Sequence, residues 1–159
     1  MSRMRKAFWL TSALAGGSIP ASAQAVTNTV TFNGTVTTNC SIAIVNGTGV
    51  MTTSGTLSNL SSKNAGGSPA QVSITTTGGV RVSLDAVTSA TTPAADTGPT
   101  VWTPVYSMTG TQSVAETGAS TLMTGSGTSN MNVHLTGTKP STDSFRGGNY
   151  SATVTVRCE

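Results

Sequence analysis

Charge is scarce in this chain. Charged residues make up 8% of its 159 residues, eight Lys and Arg against five Asp and Glu. Outside the first six positions the basic residues are scattered, so the clustered cationic footprint of a nucleic-acid-binding surface is missing. Histidine occurs once, as His134, between Val133 and Leu135, which places it on the opposite, solvent face of a strand. A metal site needs several ligands, and no acid lies near it in sequence. The acids Asp85, Asp96, Glu116, Asp143 and Glu159 form no obvious carboxylate pair. No Gly-x-Ser-x-Gly elbow occurs. Gly125-Ser126-Gly127 lacks the lysine and following helix of a phosphate cradle. The sequence therefore predicts neither an enzyme, nor a bound cofactor, nor a metal centre.

Long apolar runs are also missing. The one apolar stretch, Ala7 to Ile19, is shorter than the ~20 residues a span requires. It is broken by Gly16-Gly17 and followed by Pro20. Arg3, Arg5 and Lys6 precede it, and Ala21-Ser22-Ala23 follows as a small-x-small exit, with Ala23-Gln24-Ala25 as a second candidate. Residues 1–23 thus read as a secretory signal peptide, with no membrane span expected after its removal. Three of the eight basic residues lie in this leader, leaving five against five acids. The basic isoelectric point belongs to the leader. A neutral, charge-poor exported chain suits something that ends up assembled.

Cysteine is limited to Cys40 and Cys158. An even pair in an exported chain points to a disulfide, two free buried thiols being the alternative. Cys40 shares its alternation with Val36, Ile42 and Ile44, and Cys158 with Ala152, Val154 and Val156, so both thiols are expected to face one core.

What the chain has in quantity is Thr, Ser, Gly and Val, in runs with a period of two. Strands are predicted over residues 26–36, 38–45, 71–76, 80–86, 101–108, 131–135 and 150–158, with a short one at 120–123. Pro104 inside the fifth demands an edge or a bulge. Gly78-Gly79 is a hairpin candidate, residues 86–99 read as a loop, and residues 110–130 as largely polar connection. Trp102 and Tyr106 share a face and are expected in the core rather than as a sugar platform. Asn-x-Ser/Thr sequons arise by chance in so Thr-rich a chain. The fold class is all-β, a single sandwich or barrel domain with no helix.

Several short motifs carry a resemblance. The alternating strand Ala25-Val26-Thr27-Asn28-Thr29-Val30-Thr31-Phe32 leads toward Asn39-Cys40-Ser41-Ile42; Ser54-Gly55-Thr56-Leu57 and Val72-Ser73-Ile74-Thr75 follow; Gly148-Asn149-Tyr150 opens a closing strand that includes Val154 and Val156. In these the chain resembles the archaic chaperone–usher (Csu-type) pilins, including spore coat protein U-like proteins. The resemblance implies an immunoglobulin-like sandwich over residues 34–159, lacking its last strand. It implies that residues 24–33 form a donor strand, with Val26, Val30 and Phe32 as knobs. It implies a structural fimbrial subunit that supports adhesion or biofilm formation. The partners implied are a periplasmic chaperone, an outer-membrane usher and neighbouring subunits. The location implied is the periplasm and then the surface of a Gram-negative cell. One departure stands out. The family's first Cys usually pairs with a Cys in the second conserved strand, which here reads Ile74-Thr75-Thr76-Thr77. The partner left is Cys158, which would staple the first and last strands. A self-contained secreted sandwich acting as a coat or ligand-binding module is the other expectation.

Overall fold

A computed structural model describes residues 24–159. The expected leader lies outside the described residues. The chain divides into two units, Met1–Gly34 and Thr35–Glu159.

In the first unit, residues 24–34 form no strand, and Val26, Val30 and Phe32 are exposed. The strand expected over residues 26–36 is therefore not found. Alternation fits a residue run to a sheet edge, but a strand exists only where a partner supplies the ladder.

The second unit is all-β. Its strands are β1 (Cys40–Asn46), β2 (Thr52–Thr53), β3 (Asn59–Ser61), β4 (Ala70–Thr76), β5 (Val80–Leu84) and β6 (Ser89–Thr91). After these come β7 (Val101–Gly110), β8 (Val114–Thr117), β9 (Thr121–Met123), β10 (Gly127–Thr138), β11 (Ser151–Thr153) and β12 (Val156–Cys158). Every pairing is antiparallel. β10 organises the large sheet. One edge pairs with β4 and then β3, and the other pairs with β7 along most of its length. β1 adds to β4, β8 to β7 and β2 to β3. A second sheet has the order β12-β5-β9, and β11 pairs with β6. Ile74, Tyr106 and Met131 from the large sheet meet Val82 and Met123 from the second in one core. The arrangement is sandwich-like.

Alternation explains the long elements. Along β10, Ser129, Met131, Val133, Leu135 and Gly137 are buried in strict turn. Trp102 lies opposite Gly137, where a Cβ would come within 2.6 Å of the indole. Pro104 pairs with Leu135 on one side, in the part of β7 that β8 does not reach, and the register shift falls between Tyr106 and Met108. Edge and bulge are both present on this strand, as its proline requires.

Four expectations are corrected. Gly78-Gly79 closes no hairpin, because β4 and β5 belong to different sheets. Both glycines have positive φ, and Gly79 N–H donates to Met123 O at 2.7 Å as the chain crosses between sheets. The loop over residues 86–99 contains β6, and the connection over 110–130 contains β8 and the start of β10 besides β9, which matches the short strand expected at 120–123. The closing strand is split at Val154-Thr155, where its partner changes from β6 to β5.

Tyr106 is the one fully buried aromatic among the described residues. Its hydroxyl lies 2.6 Å from Thr121 Oγ1 and donates toward Ala119 O at 2.9 Å, which ties β7 to β9. Tyr106→Phe leaves those two groups short of a partner and is expected to cost about 1–2 kcal/mol. Urea unfolding would read this as a lower midpoint with an unchanged slope. An unmoved midpoint would count against the bond.

Candidate functional site

Edges are where this fold is unfinished. β1 pairs with β4 on one side, and its other edge has no strand among the described residues. β12 pairs with β5 and is likewise open on its far side. Both present apolar alternation toward the interior. On β1 the inward row is Cys40, Ile42 and Ile44, yet Ile42 is 38% and Ile44 74% exposed. On the closing segment, Tyr150, Ala152, Val154, Val156 and Cys158 are half-buried, alternating with exposed Ser151, Thr153, Thr155 and Arg157. A row of strand side chains pointing inward but left half-covered lacks the neighbour that would bury it.

Between these edges runs a groove of about 360 Å³. Ile42, Ile44, Val154 and Val156 line it, and Val72, Val133 and Leu135, themselves nearly buried, also face into it. Toward Met51 and Ala152 it adjoins a more polar hollow bordered by Thr48, Asn149 and Tyr150. The opposite end carries the Cys40–Cys158 disulfide, which packs against the core with a Cα–Cα distance of 6.3 Å. The bond stands one layer beyond Ile42 and Val156. It joins the first and last strands, so the disulfide and not a pair of free thiols is what the two cysteines form.

An ionic cluster lies beside Tyr150, at the polar end. Lys139 is buried, and its Nζ donates to Asp96 Oδ1 at 2.6 Å, Gly98 O at 3.0 Å and Asp143 Oδ2 at 3.4 Å. The Tyr150 hydroxyl donates to Asp96 Oδ2 and accepts Arg146 N–H at 2.9 Å. Phe145 stands edge-on to Tyr150 at 5.2 Å, with its ring 5.3 Å from Lys139 Nζ. Burial pushes the Asp96 carboxyl up, but hydrogen bonds from Lys139 and Tyr150 outweigh it and hold the pKa below the usual value. Burial works against the Lys139 charge, but its bonds to Asp96 and Asp143 outweigh it and hold the pKa high. Burial raises Tyr150, and the neighbouring Asp96 adds to the effect. The polar atoms of Lys139 and Asp96 are occupied by one another and by these neighbours. The cluster therefore acts as a clasp that fixes Tyr150 and the start of β11. No local pattern encodes it, since Asp96 and Lys139 are 43 residues apart.

His134, expected in solvent, is half-buried: its Nδ1 is 3.0 Å from Ser62 Oγ, which accepts Leu135 N–H at 3.1 Å. Burial, with Lys63 nearby, lowers its pKa. Its ring bonds to no carboxylate among the described residues, and Glu116 is engaged by Lys63. Among the described residues no three His, Cys, Asp or Glu side chains stand close enough to hold a metal ion. No described helix is long and apolar enough to cross a membrane.

Of the residues singled out in the sequence, Val154 and Val156 line the groove, and Cys40 and Cys158 pack against the core on the same two edge strands. Tyr150 borders the groove's polar end. Val26, Val30 and Phe32 lie in the first unit, outside any strand. No family model, no curated protein and no solved structure matches the chain.

Proposed function

We propose that this chain is a structural subunit of a surface fimbria, assembled by donor-strand exchange through a chaperone–usher pathway. In this reading the second unit is an immunoglobulin-like sandwich without its last strand. The observation that carries it is the pair of unpaired edges, β1 and β12, facing an apolar groove with their inward rows half-covered. The strand order supports it. β1-β4-β10-β7 in one sheet and β12-β5-β9 in the other are compatible with an immunoglobulin-like order, and the far edge of β12 has no strand among the described residues.

A strand added there gains main-chain bonds from two edges and buries alternate side chains. The chain itself offers such a strand in residues 24–33, whose Val26, Val30 and Phe32 are exposed. Burying three side chains of this kind contributes on the order of 5–8 kcal/mol. Before assembly, a periplasmic chaperone would fill the same gap, since an open apolar edge invites aggregation. Groove and donor are different surfaces of one chain, so the contact is head-to-tail and propagates into a fibre. An exported fibre of this kind would serve adhesion or biofilm growth at a Gram-negative surface.

A second reading rests on the groove's size, which also falls in the range of small-ligand pockets. It would make the chain a self-contained ligand-binding module or coat protein. The two readings separate on gels of envelope fractions. The fimbrial reading expects a boiling-sensitive ladder from the full chain, and none from a variant lacking residues 24–32. A monomer in every lane, folded with or without those residues, would leave the ligand-binding reading in its place.

A further inference from the structure

The groove is uneven along its length. Counting back from the opposed cysteines, Ile42 stands across from Val156, and Ile44 from Val154. The third layer has Ala152 on one wall, while the other is the segment from Gly47 to Met51 beyond the β1 register shift at Ile44/Asn46. Branched side chains narrow the first two layers. Alanine and glycines leave the third wide, where the groove opens into the adjoining hollow.

The exposed segment is uneven too. At two-residue spacing it presents Val26, Asn28, Val30, Phe32 and Gly34, so one bulky ring stands among smaller groups. Successive inward side chains of a strand are about 6.6 Å apart, so three consecutive ones fill three layers. With Phe32 in the wide layer, Val30 falls between Ile44 and Val154, Asn28 between Ile42 and Val156, and Val26 level with the disulfide. The reverse direction would put Gly34 there and leave that layer empty.

Resting on the donor-strand reading, we infer that Phe32 of a second copy seats against Ala152 and Met51, and that Ala152 sets the size of side chain accepted at that position. The large side chain goes where the walls are smallest. Ala152 belongs to both the apolar groove and the polar hollow, and a longer side chain there would take the space of the ring.

The test uses four full-length exported chains: wild type, Ala152→Leu, Phe32→Ala and the double variant. Each is scored for the boiling-sensitive ladder and for β-structure by circular dichroism. Ala152→Leu is expected to reduce the ladder about tenfold or more. Phe32→Ala added to it should restore the ladder, because the leucine fills the space the ring has left. A ladder unchanged by Ala152→Leu, or a folded double variant no better than Ala152→Leu, overturns the seat while the wild-type ladder keeps the donor-strand reading intact. A wild type with no ladder overturns both. If Ala152→Leu does not fold, donor substitutions decide the matter. Phe32→Ala should then lose about tenfold more ladder than Val26→Ala, and equal losses overturn the seat.

Discussion

Lys139→Met is expected to destabilise the second unit by about 3–5 kcal/mol, because it leaves Asp96 as a buried charge without its cation. The two side chains are 0% and 1% exposed, so water cannot replace the missing partner. Removing both charges should cost much less: Lys139→Met with Asp96→Leu is expected to recover most of the loss, because the expensive state is the unpaired ion. Urea midpoints of the two single variants and the double would give the coupling. Equal losses in single and double would mean the clasp is held by packing alone.

The same pair fixes a pH signature. The folded-state pKa of Asp96 is depressed, so its contribution is complete above the ordinary aspartate pKa and is lost as pH falls through the folded value. That of Lys139 is raised, so its contribution is complete below the ordinary lysine pKa and is lost as pH rises through the folded value. Stability from this cluster is therefore flat at neutral pH and declines at both extremes. In Lys139→Met the acid limb should invert. Burial then dominates Asp96, its pKa rises, and protonation relieves the unpaired charge. A variant that still loses stability on acidification in parallel with wild type would contradict this account.

The double variant Cys40→Ala/Cys158→Ala is expected to lose about 5 kcal/mol, from the chain entropy released when a loop spanning 118 residues is opened. Domains of this size have only about 5–15 kcal/mol in total. A sandwich with an unfilled groove has less to spare, so this variant is expected to be largely unfolded near 37 °C. Reduction of the wild type should reproduce the loss. Circular dichroism with and without reductant measures it directly. A midpoint that moves by less than the equivalent of ~1 kcal/mol would show that β1 and β12 are held by their non-covalent contacts.

What could be read in advance follows from how local each signal is. The alternation Met131-Val133-Leu135 lies within five residues and marked β10, although its polar ends, Gly127 to Asn130 and Thr136 to Thr138, did not announce themselves. Ile42 and Ile44 were placed correctly on the inward face, but not the fact that nothing covers them, because a missing neighbour leaves no trace in the strand that lacks it. β3, β6 and β8 are short and rich in Asn, Ser, Thr and Ala, and only their partners make them strands. Gly78-Gly79 marked a turn without saying which sheet the next strand would join. The Asp96–Lys139–Tyr150 clasp depends on three loops converging, which no period in the sequence encodes.

The staple between first and last strands also sets how the protein responds to a pull. Tension applied at residues before Cys40 and after Cys158 passes across the sulfur–sulfur bond, and the 118-residue span between them carries none of it. Unfolded and unbridged, that span would lengthen by roughly 400 Å at ~3.4 Å per residue. With the bond in place this slack is locked away.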